Sequence, residues 1–547
     1  MNKRSASVEA TQLQIGPTRD AFERLTCLGW SRSLAAIVAG LVVSFLLFGY
    51  ALVYWRNADM DFMVIYSALA MNDGKPQQFL DHTAYLTILS VKSWFQLLHD
   101  GGLLDASTLS AIPPASDVPA FDAAMTHAIR AGRVLALLIA TGCVLIFAAL
   151  ARRIFRDWRV ALIATLALAL SGGVAVHSRI LRSELVAAAP VIFALMILIV
   201  VGRRASLARP LGLAIAAALC VIGQENKVQA ILLIGTLPLV ILPFGSTAGA
   251  SVAFWHNRRT SWLAALLAVA LAIAAILAAW PLIATGFDRS LLEAAQFHPL
   301  LLNRFGVYQA ALLGLIAGCM IIYAAIWRIS AAETIAAMAM LVAGAAVALL
   351  LLDVAYNTAD VIAVLNPLEK MLMFADTNTA SAANGSSPVA ALLLLLQGVG
   401  SVLARYSFVL HSSARPTVLL IWLIVPGSVL AWRRGEKLAA LQVLALMLAA
   451  IGIDTLGVRR GLKIEYFIFT DPLIVLAGAI LIEAMPDLRL HKWAYGIAVA
   501  LFGLHVAISQ AEPIKYAFKR SGPEGVCEWN SYYMPLLPLP WCPPRRP

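Results

Sequence analysis

Leu34-Ala35-Ala36-Ile37-Val38-Ala39-Gly40-Leu41-Val42-Val43-Ser44-Phe45-Leu46-Leu47-Phe48-Gly49-Tyr50-Ala51-Leu52-Val53-Tyr54-Trp55 is an unbroken apolar run, and Arg56-Asn57-Ala58-Asp59-Met60-Asp61 follows it directly. A helix of about 20 such residues crosses a hydrocarbon core of about 30 Å. In lipid every backbone N–H and C=O needs a partner within the protein, which leaves helices and closed barrels. A barrel requires alternating segments of roughly ten residues, and the run does not alternate. This stretch therefore predicts a membrane helix with two carboxylates at its mouth.

The same reading extends along the chain. Of 547 residues, 61% are hydrophobic and 13% charged, whereas a soluble domain carries roughly 25% charged residues. Apolar runs of spanning length predict helices over 34–55, 132–151, 159–177, 184–202, 209–223, 228–244, 262–284, 307–326, 334–352, 416–432, 438–454, 466–484 and 493–510. The predicted fold class is an all-α polytopic membrane protein of about 13 transmembrane helices. Residues 1–33 form a polar N-terminus without a small-residue cleavage site, so the first span reads as an anchor. Residues 34–510 form the membrane domain and 511–547 a short tail. The apolar stretch 389–404 is too short to span and reads as an interfacial or re-entrant helix within a long loop, 353–415.

The net charge of +11 is distributed as topology rather than as a nucleic-acid surface. Arg152, Arg153, Arg156 and Arg159 form one basic cluster, and Arg203, Arg204 and Arg209 another. Arg258, Arg259, Arg328, Arg433, Arg434, Lys437, Arg489 and Lys492 continue the series. All of them follow even-numbered spans, which predicts a cytoplasmic N-terminus and an external tail. Cys143, Cys220 and Cys319 lie in apolar runs and read as packing residues, whereas Cys527 and Cys542 in the tail suit a disulfide in an oxidising compartment.

Two external segments then stand out, 56–131 and 353–415. In the first, residues 61–72 place Phe62, Ile65, Tyr66, Leu69 and Ala70 at helical spacing. Residues 84–98 do the same with Tyr85, Leu86, Leu89, Trp94, Phe95 and Leu98, and Gly74 and Pro76 separate the two. Both read as helices lying in the interface with an apolar face toward lipid. Asp59 and Asp61 suit a general base, metal ligands or a hydrated loop start.

The other external hairpins are unusually polar: His177-Ser178-Arg179-Ile180-Leu181-Arg182-Ser183-Glu184, Gln224-Glu225-Asn226-Lys227, and Arg459, Arg460, Lys463, Glu465 and Tyr466. These cations lie on the face that the positive-inside rule disfavours. Membrane-edge charges are costly and mark functional sites by default, and grouped cations bind phosphate by charge-assisted hydrogen bonds.

On these residues the sequence resembles the GT-C membrane glycosyltransferases, over nearly the whole chain. Within them it is similar to the branch of protein O-mannosyltransferases and bacterial aminoarabinose transferases. The matching positions are Asp59, Tyr66, Gly74 and Phe79-Leu80-Asp81-His82-Thr83-Ala84-Tyr85. Further matches are Arg179 to Glu184, Lys227, and Glu465-Tyr466-Phe467 through Pro472. The family's adjacent acidic pair is split here by Met60, which leaves either Asp59 or Asp61 as the base.

The resemblance implies an inverting transfer of a sugar from a polyprenyl-phosphate donor to a lipid, glycan or protein acceptor at the external face of a bacterial inner membrane. It implies that Arg179, Arg182, Lys227, Arg459, Arg460 and Lys463, with Tyr85 and Tyr466, bind substrate and the lipid phosphate. It also offers His82 and Glu184 as ligands of a divalent metal. The alternative is a transporter or flippase of a lipid-linked sugar, which would carry its charges near the middle of broken spans.

Overall fold

The structure, a computed structural model, describes residues 29–57, 61–75, 84–203, 208–246, 255, 257–285, 306–356, 388–409, 415–457, 463–485, 492–518, 527, 530 and 533–543. Among these residues every regular element is a helix. The first helix is α1 (Gly29–Phe45), prolonged by a π-turn, Leu46–Tyr50. It is followed by α2 (Met63–Asn72), α3 (Tyr85–Asp100), α4 (Val118–Ile154), α5 (Trp158–Ala169) and α6 (Gly172–His177). Then come α7 (Ser183–Arg203), α8 (Ala208–Asn226), α9 (Ala230–Val240), α10 (Arg258–Thr285), α11 (Gly306–Ile326) and α12 (Ala331–Tyr356). The last five are α13 (Pro388–Ser407), α14 (Val418–Arg433), α15 (Lys437–Gly457), α16 (Asp471–Ala484) and α17 (Lys492–Phe518).

Seven of these helices are long and apolar enough to cross a membrane: α1 with its π-turn, α4, α7, α10, α12, α15 and α17. Their outward faces carry large apolar side chains, with Leu47, Leu263 and Leu277 each about two-thirds exposed. A water-facing surface would not tolerate so broad an apolar band. The chain is an all-α membrane protein.

Local chemistry sets the breaks. Asp117 caps α4 by accepting from Ala120 N at 3.2 Å, with a proline in the first turn. At 37 residues, α4 is about 55 Å long, so the span expected at 132–151 is only its inner part. The span expected at 159–177 is interrupted: α5 stops at Ala169, and Ser171 starts α6 by accepting from Val174 N. The 389–404 stretch is helical, within α13. Gly398 and Tyr406, two turns apart on α13, both meet Asp454–Thr455 near the end of α15. Helix α13 therefore lies across that end rather than alongside α15.

Charge groups identify the two ends of the bundle. At one, Arg203 donates to Ile154 O at 2.9 Å and Arg156 N donates to Glu483 at 2.6 Å, which gathers the ends of α4, α7 and α16. The other end carries the mouth of α1, the 177–183 and 226–229 turns, and the start of α16.

A second apolar core stands at this second end, built from α2, α3, the first turns of α4 and the tail. Here the structure departs from the sequence expectation. Every residue from Met63 to Ala70 is buried, so α2 is an internal helix and not an interfacial one. Its sequence is apolar on all sides, and the tail covers the side that lipid was expected to cover. Leu536 N donates to Tyr66 Oη at 3.2 Å, and Trp541 packs on Tyr54, Trp55 and Phe121. Helix α3 is one-sided, but its buried stripe is Tyr85, Ile88, Val91 and Phe95, packed inside the protein, while Leu86, Leu89, Trp94 and Leu98 of the expected lipid-facing stripe are half-buried.

Cys527 and Cys542 are joined by a disulfide that closes the tail segment across a separation of 15 residues. Cys542→Ser is expected to cost about 3 kcal/mol, the chain-entropy value for a loop of this size. Thermal unfolding with and without reductant checks this, and identical melting temperatures for the oxidised, reduced and mutant proteins would contradict it.

Candidate active site

Close approach between helices builds the site. Gly223 of α8 lies so near α7 that a Cβ there would meet Ala187 O at 2.5 Å. This brings the 226–227 turn onto the start of α7. Gly173 does the same on the other side: a Cβ would meet the Ile468 backbone at 3.0 Å. The 3-10 turn Ile464–Phe469 thereby settles on α6 and delivers Glu465 and Tyr466.

The result is one cluster drawn from three distant hairpins. Glu184, fully buried, receives Lys227 Nζ at 2.7 Å and Arg182 Nη2 at 3.0 Å on one oxygen, and Arg182 Nε at 3.2 Å on the other. His177 Nε2 lies 3.6 Å from the same carboxylate, with its Nδ1 at 2.6 Å from Gly173 O. Arg182 also reaches Glu465 at 3.5 Å, and Lys227 lies 5.8 Å from the centre of the Tyr466 ring. Exposure rises outward: 2% for the Lys227 side chain, 9% for Arg182 and 14% for Glu465. Lys463, which precedes the turn that carries Glu465, is exposed. Arg182 thus lies nearer the surface than Lys227.

Asn226, quoted with its hairpin in the sequence reading but given no role there, ties this cluster to α3. It donates to Ser183 O at 2.7 Å and accepts from both Thr87 N and Thr87 Oγ1 at 3.0 Å. Its carbonyl also accepts from Ala84 N at 2.9 Å, where Ala84 holds a left-handed φ of 45°. A non-glycine residue in that region costs about 1–3 kcal/mol and clusters at functional sites. Tyr85 follows it, buried in the first turn of α3.

Asp61 occupies a neighbouring pair. Arg133 Nε donates to it at 2.7 Å and Leu181 N at 3.3 Å, and both side chains are fully buried. The Arg133 guanidinium continues to the Gly49, Leu52 and Val53 carbonyls at the mouth of α1. Burial pushes the Asp61 carboxyl above its ordinary range, against the opposing pull of Arg133. Nearby, burial and then the bond to Asp122 raise the Tyr54 phenol.

The structure thus brings together Arg182, Lys227, Glu184 and Tyr466, with Asp61 one hairpin residue away and Lys463 just before the turn that carries Glu465. Arg179 points elsewhere, toward α1 and α17. Asp59, His82, Arg459 and Arg460 lie outside the described residues. Glu184 does not fit a divalent metal, because its oxygens already face Lys227 and Arg182. No group of three or more metal-ligating side chains occurs among the described residues, and no step below is routed through a metal.

A second buried network lies at the same end. Arg415 donates to Asp454, to Asp471 at 2.8 Å, and to Thr417 and Thr470 at 2.6 Å. It stacks 4.3 Å from the centre of the Phe467 ring. Its donors meet acceptors at the starts of α14 and α16 and near the end of α15, which marks it as a lock. No family model matches the chain, and no curated protein or solved structure matches it either.

Proposed function

We propose that the chain crosses the bacterial inner membrane thirteen times with a cytoplasmic N-terminus. On its external face it transfers a sugar from a polyprenyl-phosphate donor to a lipid, glycan or protein acceptor. The observation that carries this reading is the cation cluster on Glu184, assembled from three hairpins beside the segment that follows α1.

In this reading Asp59 takes the proton of the acceptor hydroxyl. The acceptor oxygen bonds to the anomeric carbon, the bond from that carbon to the phosphate oxygen breaks, and polyprenyl phosphate departs with the electron pair. Arg182 faces the departing phosphate, with Lys463, Arg459 and Arg460 as further cations on that side. Lys227 and Glu184 hold Arg182 in position before ligand arrives, so little reorganisation accompanies charge development. A positioned base contributes roughly 10²–10⁴-fold.

Purified protein is assayed with a panel of labelled polyprenyl-phosphate sugars and a membrane lipid extract. The expected result is label in an acceptor together with released polyprenyl phosphate. Movement of intact donor across vesicles without cleavage would replace this reading with transport. Arg182→Gln is expected to lower kcat/KM by about 10²-fold, the range seen when one charge-stabilising donor is removed, with the protein still folded. Unchanged kcat/KM would remove Arg182 from the mechanism.

A further inference from the structure

Five basic side chains are buried among the described residues: Arg133, Arg179, Arg209, Lys227 and Arg415. Four of them sit against carboxylates. Arg133 meets Asp61 at 2.7 Å, Arg209 meets Glu333 at 3.0 Å, Lys227 meets Glu184 at 2.7 Å, and Arg415 meets Asp454 and Asp471. Arg179 differs. It is 2% exposed and makes no ion pair among the described residues. Its Nε and Nη2 donate to Ser44 Oγ at 3.1 and 2.6 Å, and Nη2 also donates to Gln510 Oε1 at 2.6 Å. Its Nη1 is buried and finds no acceptor among the described residues.

A buried charge without a counter-ion is strongly unfavourable. The face of Phe48, 5.1 Å from the guanidinium carbon, offsets only part of that cost. Burial also draws the guanidinium pKa down to about 10, so it remains charged at neutral pH with its compensation incomplete. The neighbours say what is missing. Ser44 and Gln510 are neutral, and Ser44 accepts both arginine bonds, which leaves its own O–H as a donor. One guanidinium N–H thus lacks an acceptor among the described residues, and the hydroxyl on the other edge of the guanidinium still has a proton to donate.

The position points to the bilayer. On the same turn of the first helix Leu46 and Leu47 are 55% and 64% exposed, facing hydrocarbon, while Ser44 and Phe48 are half-buried. The guanidinium thus lies just behind the lipid-facing surface, between the first helix and α17, at the end that also carries the Glu184 cluster. Arg182, three residues on, turns to Glu184 instead, so the hairpin sends its two arginines to different places.

We propose that Arg179, Ser44 and Gln510 form a second anion site, separate from the Glu184 cluster, that takes a phosphate group at the bilayer edge between the first and last membrane helices. A planar guanidinium beside a hydroxyl donor suits phosphate oxygens, and Gln510 braces it through Oε1 while its own Nε2 donates to Leu170 O at 3.1 Å. The inference does not rest on the transferase reading, and its test measures binding rather than transfer.

The full chain in neutral detergent is titrated separately with phosphatidylglycerol, phosphatidylcholine and inorganic phosphate while thermal unfolding is followed. A ligand that binds the folded state raises Tm in a saturable way. Phosphatidylglycerol is expected to do so and phosphatidylcholine is not. Arg179→Gln is expected to weaken that response by about tenfold or more. Gln510→Glu supplies Arg179 with an internal carboxylate, so it is expected to raise Tm without added lipid and to abolish the response. It also carries the test if Arg179→Gln fails to fold. Inorganic phosphate as effective as the lipid assigns the site to free phosphate, and inert phosphate assigns it to a lipid headgroup. A wild-type protein indifferent to both, or a shift that survives in both variants, overturns the proposal.

Discussion

Asp59→Asn is expected to abolish sugar transfer and leave the protein folded, whereas Asp61→Asn is expected to damage the fold first. The two carboxylates are two residues apart in sequence; Asp59 lies outside the described residues, and Asp61 is committed to a structural partner. It is fully buried on Arg133, and Arg133 in turn holds the carbonyls at the mouth of α1. Removing one member of such a pair strands the other charge and costs about 3–5 kcal/mol. Thermal unfolding and transfer assays on both variants separate the effects. A stable but inactive Asp61→Asn beside a fully active Asp59→Asn would exchange the roles assigned here.

Arg415→Met is expected to be the most destabilising single change at this end of the bundle. It leaves Asp454 and Asp471 facing each other without a cation, in a site where all three side chains are at most 3% exposed. The loss is about 3–5 kcal/mol for breaking a buried pair from one side. Neutralising the acids as well, in Arg415→Met with Asp454→Asn and Asp471→Asn, is expected to recover most of the melting temperature. If Arg415→Met melts like the wild type, the network is not a lock.

The apolar helices were legible because composition and run length report directly on the solvent around a helix. The break between α5 and α6 was also legible in principle, since Ser171-Gly172-Gly173 carries a cap and two breakers. Polar hairpins pointed to Arg182, Glu184 and Lys227 because a charge at a membrane edge needs a reason. What sequence could not supply was partnership. Asp61 and Arg133 are 72 positions apart, and nothing local in either residue names the other. Arg415 sits at the end of a stretch that read as loop, and Asp454 at the end of one that read as membrane span. Helix α2 was misplaced for the same reason: its cover arrives from the tail, 470 positions away at the Tyr66 bond.

That cover has a consequence for biogenesis. Tyr54, Trp55 and Phe121 leave the ribosome early, but Trp541, which packs on all three, follows every membrane helix. The region built from α2, α3 and the start of α4 must therefore wait, incompletely covered, until α17 has been inserted and the tail has reached it. A nascent chain halted before that point presents exposed aromatic rings to the quality-control machinery, so the docking of Trp541 reports that the helices before it are in place.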